Sequence, residues 1–204
     1  MNTLLLGRRG IMAATAAILV HVPRAMADNP VLAPVQELVA GLLRVMKAGH
    51  AASFSERCNM LGPVIDQTFD LTTILKESVG FTWQSLPADQ QAALEQAFRR
   101  YTLSSYVNSF DEFNGQRFQI NPETRTVGED EVVRTRIIPT SGDSHDLDYV
   151  MHEGPQGWRI VDVLADGAIS RVAVQRSDFR GLIRKGGAPA LAESLATKSA
   201  SLSG

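Results

Sequence analysis

The chain has 204 residues, 44% of them hydrophobic, with 20 Lys and Arg against 22 Asp and Glu for a formal net charge of −2. That composition suits one domain with an ordinary buried core. No basic stripe with interleaved aromatics occurs, which excludes a nucleic-acid partner, and no run of basic residues marks a segment for an anionic membrane.

The first 27 residues, "MNTLLLGRRGIMAATAAILVHVPRAMA", read as a secretory signal. A basic start precedes the apolar stretch Ile11 to Val20, and Ala25-Met26-Ala27 has the small-residue pattern of a cleavage site. The apolar stretch is about ten residues, half of the roughly 20 that a spanning helix needs. Arg8-Arg9 suggests the twin-arginine export route, but Gly7 stands where Ser or Thr is usual, so the general secretory route is equally open. The exported chain would start at Asp28, with residues 28–197 as one domain and residues 198–204, small and polar, as a flexible tail. Its single cysteine, Cys58, cannot close an intramolecular disulfide. It reads as a small buried hydrophobe or a reactive thiol.

From Asn29 to about Phe113 apolar residues recur at helical spacing. The first helix, ending at Gly49, carries the stripe Val35, Leu38, Val39, Leu42 and Leu43, with Val45 and Met46 beyond. "FSERCNMLGPVIDQTFDLTTILKESVG" predicts two short helices, broken near Gly62-Pro63 and near Phe69-Asp70. The longest helix follows Pro87, which suits a first turn. On it Leu94, Ala97, Phe98, Tyr101 and Ser105 share a side, and Leu103, Tyr106, Val107 and Phe110 extend the apolar surface round the axis. That is wider than one neighbouring helix would cover.

From Arg117 to Leu164 the period changes to two. Four strands, separated by turns at Gly128-Glu129-Asp130, Thr140 to Asp143 and Gly154-Pro155-Gln156, predict an antiparallel meander. In the fourth, Trp158, Ile160 and Leu164 share a side with Asp162, and Val161, Val163 and Ala165 take the other, so both faces should be covered. Helical spacing then returns with Ile169, Val172, Ala173, Phe179 and Ile183, and Arg176 lies in line with them. Gly186-Gly187 stops this helix, and Pro189 starts a last one. Helices, strands, then helices give an α+β class: helices against a curved four-stranded antiparallel sheet, an NTF2-like cone around an apolar cavity.

Chemistry is sparse. No Gly-x-Ser-x-Gly elbow is present. "HDLDYVMH" brings His145, Asp146, Asp148 and His152 close, but strand alternation splits them, so a solvated edge is expected and no metal site. Asp162 is either a general base in an isomerase-like or dehydratase-like pocket or a buried carboxylate paired with Arg176, since an unpaired charge in an apolar wall costs several kcal/mol. No cofactor is implied.

"VGFTWQSL" at 79–86 and "WRIVDVLADGAISRVAVQRSDF" at 158–179 resemble the periplasmic lipid-binding proteins of the MlaC and toluene-tolerance type. The second block is similar to that family's Trp-x-hydrophobic-x-Asp-Val strand, its acidic-Gly turn, and a helix with Arg and Phe three apart. "DGAISRVAVQRSDF" is closer to the hopanoid-associated HpnM-like branch, and Val161 stands where MlaC-like members tend to carry an aromatic. The resemblance implies a periplasmic, non-enzymatic, monomeric carrier. It would take a phospholipid or hopanoid between an inner-membrane lipid transporter and an outer-membrane acceptor, docking transiently at each. The expected lining is Leu75, Phe81, Trp83, Phe98, Tyr101, Tyr149, Val161, Val163, Ile169, Val172 and Phe179, with Asp162 and Arg176 as a structural pair. The competing readings are an enzyme with Asp162 free at the base of a small polar cavity, and a ligand-free module with a filled core and an exposed apolar patch.

Overall fold

The computed structural model describes residues 29–203, so the expected signal segment and its cleavage point lie outside the described residues. Helix α1 (Ala33–Ala48) buries Val35, Leu38, Val39 and Leu42 of the stripe its spacing predicts, together with Val45 and Met46, and leaves Leu43 half-buried. It stops at Gly49, whose φ of 50° few other residues adopt. Helix α2 (Phe54–Thr68) starts on a reciprocal capping box between Ser53 and Glu56. It runs straight through Gly62-Pro63, where a break was expected. Pro63 faces solvent, and Leu61, Val64 and Ile65 on the opposite side are buried, so packing outweighs the lost hydrogen bond. Against Gly41 of α1, a Cβ would meet Val64 Cγ1 at 3.0 Å; only glycine lets these two helices approach so closely.

The break at Phe69-Asp70 does form. Asp70 caps helix α3 (Leu71–Val79) by accepting a 2.9 Å hydrogen bond from the Thr73 amide, and its own N–H donates to the Ile160 carbonyl at 3.0 Å. The helical half is thereby stitched to the sheet. Gly80, with φ of 75°, ends α3 and leads through a 3₁₀ segment (Gly80–Ser85) to α4 (Ala88–Ser109), with Pro87 as its N-cap.

Strands β1 (Arg117–Val127), β2 (Asp130–Ile138), β3 (His145–Gly154) and β4 (Gly157–Ala165) form the expected meander. A fifth, two-residue strand β5 (Ile169–Ser170) extends it beyond the predicted four. The β4–β5 turn passes through Asp166 and Gly167, both with positive φ, as tight hairpins require. Ile169 therefore belongs to the sheet edge and not to the helix its spacing suggested.

A bulge corrects the faces of β4. Met151 pairs with Ile160, and Val150 pairs with Asp162, so Val161 has no partner. One extra residue reverses the alternation. Ile160 and Val163 thus come to the same face, opposite the buried Met151 and Tyr149 of β3. That face packs on the helices.

Helix α5 (Arg171–Ser201) closes the molecule along α3 and α4. Its backbone is non-helical at Gly186 and Gly187, the stop that the paired glycines predict, and it resumes before Pro189. The second part buries Ala188, Leu191 and Leu195 and continues to Ser201, where a flexible tail from residue 198 was expected. Burial of that apolar face outweighs the polar composition of the end. Cys58 is half-buried against the core, and burial pushes its thiol up from the ordinary range, so it packs as a small hydrophobe.

Candidate functional site

The wide apolar surface of α4 divides into two strips. Leu94, Ala97, Phe98, Leu103 and Val107 are buried in the core. Tyr101, Tyr106 and Phe110 are only half-buried and border a cleft of about 270 Å³. Phe69, Leu71 and Ile74 from the α2–α3 junction, Leu147 and Val163 from the inner sheet face, and Val172 from α5 complete its apolar wall. The Tyr106 ring meets Phe69 edge-on at 5.5 Å and stacks on Phe110 at 5.9 Å, and Phe118 continues the row at 6.1 Å from Phe110. Burial raises the Tyr106 phenol well above its ordinary pKa, with Tyr149 close by adding to the effect, and burial raises Tyr149 as well. Both rings therefore stay uncharged, as an apolar wall requires.

Polar groups gather along the cleft as well: Thr102, Ser105 and Ser109 from α4, Asp162 from β4, Gln175 from α5, and the exposed Arg171 at the helix start. This is the common composition of a ligand site, mostly apolar with a few placed polar groups.

Of the residues predicted to line a cavity, Phe98, Tyr101, Val163 and Val172 do so. Leu75, Tyr149 and Phe179 lie behind the wall in the packed core, with Phe179 edge-on to Phe98 at 6.3 Å. The bulge takes Val161 to a separate groove with His152 and Arg159. Ile169 is 53% exposed on the edge strand. The turn after Gly80 carries Trp83 inward at 6% exposure and leaves Phe81 fully exposed at 100%. Phe69, Tyr106, Phe110 and Leu147 also line the cleft; the helical spacing of Tyr106 and Phe110, which widens the apolar face of α4, is the one sequence signal for them. Arg171 gave no sequence signal, because only the β5 turn brings it to the cleft.

The expected pair of Asp162 with Arg176 does not form. Asp162 Oδ1 accepts hydrogen bonds from the amides of Val163 at 2.7 Å and Val172 at 3.0 Å, and Oδ2 accepts one from the Ser170 hydroxyl. Ser170 Oγ in turn accepts from the Ala173 amide at 3.0 Å. Asp162 is thus an anchor for the N-terminus of α5, where a negative charge meets unpaired amides and the positive end of the helix dipole. Arg176 binds elsewhere, donating from Nε to the Glu77 carbonyl at 2.7 Å and from Nη2 to its carboxylate at 2.9 Å. That ties α5 to the end of α3. The "HDLDYVMH" residues disperse as well: Asp146 pairs with Arg136 at 2.6 Å and His152 with Asp130 at 2.7 Å. Asp148 is not a solvated edge residue: it is 7% exposed, and burial raises its carboxyl above the usual range.

These features define the class, an α+β domain whose helices and antiparallel meander enclose an apolar cleft with polar groups along it. The chain belongs to the MlaC protein family, whose profile matches residues 36–197. Among solved structures, it is similar to the phospholipid-binding protein from Ralstonia solanacearum, determined in complex with a phospholipid. The TM-score is 0.74 at 20% identity, over 85% of this chain and 99% of that one. A likeness at that identity establishes the shared fold. A comparison with curated proteins finds no match. Among the described residues, no helix is long and apolar enough to cross a membrane.

Proposed function

We propose that this protein is a periplasmic carrier of membrane lipid that holds hydrocarbon of its cargo in the α4–α5–sheet cleft. It would move that cargo between an inner-membrane transporter and an outer-membrane acceptor, docking transiently at each as a monomer. The observation that carries this reading is a cleft with a mostly apolar, aromatic-rich wall beside the packed core, in a domain of the MlaC family. Each methylene moved from water into such a site gains about 0.8 kcal/mol. A lipid with about thirty of them would face a barrier on the order of 20 kcal/mol if it left a bilayer unshielded. A carrier removes that barrier by offering comparable surroundings.

At about 270 Å³ the cleft sits at the lower edge of ligand sites in general, which span about 300–1,000 Å³. As it stands it takes a segment of hydrocarbon and not a complete lipid. The rim cation Arg171 suits a phosphate, which favours a phospholipid; a hopanoid would use the aromatic wall alone. The occupied state of Asp162, with three donors on its carboxylate, argues against its use as a general base.

Mass spectrometry of organic extracts of the purified protein tests the reading. Stoichiometric lipid is expected, and its headgroup or ring system identifies the cargo. Absence of lipid with turnover of a small carbonyl substrate would favour an enzyme. Absence of both would favour a partner-binding module.

A further inference from the structure

A larger concavity, of about 860 Å³, lies on the far side of the α3–α5 contact from the cleft. Ile74 and Gln175 face the cleft, whereas Lys76, Glu77 and Arg176, their close neighbours along the same helices, border this groove. Arg176, Arg180 and Arg184 fall four residues apart on α5, so they project in a row spanning about 12 Å along the axis. Lys76 joins them from α3. Glu77, the one carboxylate bordering the groove, is engaged by Arg176. Lys76, Arg180 and Arg184 have no ion-pair partner among the described residues. Beside them stands Phe81, its ring at 100% exposure on the 3₁₀ segment, with Trp83 inward of it.

An unshielded phenyl ring contributes nothing to the core, and its place beside three cations without ion-pair partners fits an external partner with two properties. It must be negatively charged at its surface and apolar a few ångströms deeper. A protein surface would need a matching row of acids round a pocket, whereas the headgroup layer of an anionic bilayer offers both properties at any lateral position. We propose that this groove is a docking surface for an anionic phospholipid bilayer, with Phe81 entering the headgroup–acyl boundary and Lys76, Arg180 and Arg184 contacting phosphates. The cations come from α3 and α5 and meet only in the fold, on a chain of formal net charge −2. Docking there would bring the α3–α5 wall of the cleft against the membrane.

The test is sedimentation of the purified protein with vesicles of phosphatidylcholine alone, or with about a third phosphatidylglycerol. Binding is expected only to the anionic vesicles and should weaken with salt. Each basic residue at such a surface is worth about fivefold in affinity, so R180E/R184E together should lower it by about thirtyfold or more. Phe81→Ser should lower it about tenfold. Phe81→Trp adds a reporter whose emission should shift to the blue on anionic vesicles. The proposal is overturned if wild type does not sediment, if it binds neutral vesicles equally, if the charge reversals leave binding unchanged, or if the introduced Trp shows no shift. Co-purified lipid is measured on the same variants. Unchanged cargo with lost vesicle binding isolates the docking surface from the cleft, so either can fail alone.

Discussion

Two apolar regions of the helical layer meet opposite fates. Between α1 and α2, Leu38, Leu42 and Leu61 are fully buried, and Gly41 lets Val64 approach closely. On the side of α4 toward α5 and the sheet, Tyr101, Tyr106 and Phe110 are half-buried and border the cleft. Apolar content alone therefore does not decide whether a region is filled. Shape does. Two helices separated only by a glycine and small aliphatic side chains interdigitate. The aromatic rings of α4 leave a gap against α5 and the sheet, so part of the apolar surface lines a cleft and is not closed off.

The sharpest contrast comes from truncations on either side. Leu42→Ala should cost about 2–5 kcal/mol, read as a lowered urea midpoint, because its packed surroundings cannot collapse onto the void. Leu71→Ala, at the cleft, should cost under about 2 kcal/mol, since its side chain already lacks neighbours on one side. Equal costs would mean that the cleft is packed in solution.

Filling the hollow should do the reverse. Val163→Trp is expected to reduce co-purified lipid at least about tenfold, a loss of about 1.4 kcal/mol, with the thermal midpoint maintained. Full lipid recovery would place the cargo elsewhere.

A smaller effect is expected where β4 anchors the start of α5. Asp162→Asn keeps an acceptor but removes the charge from the α5 N-terminus, so it should cost about 1 kcal/mol while lipid is still recovered. Loss of lipid at unchanged stability would make Asp162 a cargo contact instead of an anchor.

The smallest effect lies on the outer face of the sheet. The Asp148 carboxyl is raised in the folded protein, chiefly by burial. Its folded value exceeds its unfolded one, so its favourable contribution is complete below the unfolded value and is lost as pH rises through the folded value. Asp148→Asn should therefore stabilise the protein modestly at neutral pH, and the gain should vanish in acid. A gain independent of pH would refute the assignment.

Local patterns determined much of this molecule. The stripe of α1, the break at Asp70, the turns of the meander and the stop at Gly186-Gly187 depend on residues near one another in the chain, and each formed where its chemistry indicated. The fate of isolated side chains depended on partners far away. Pro63 stayed inside a helix because the opposite face was buried, and one unpaired residue at Val161 exchanged the faces of β4. Asp162 took backbone amides and Ser170 as partners, leaving Arg176 to Glu77. Lys76, Arg180 and Arg184, scattered over more than a hundred residues, became one patch beside Phe81. A sequence encodes period and turn chemistry directly, whereas a void or a charged patch exists only once distant surfaces meet. Tertiary packing alone decided those.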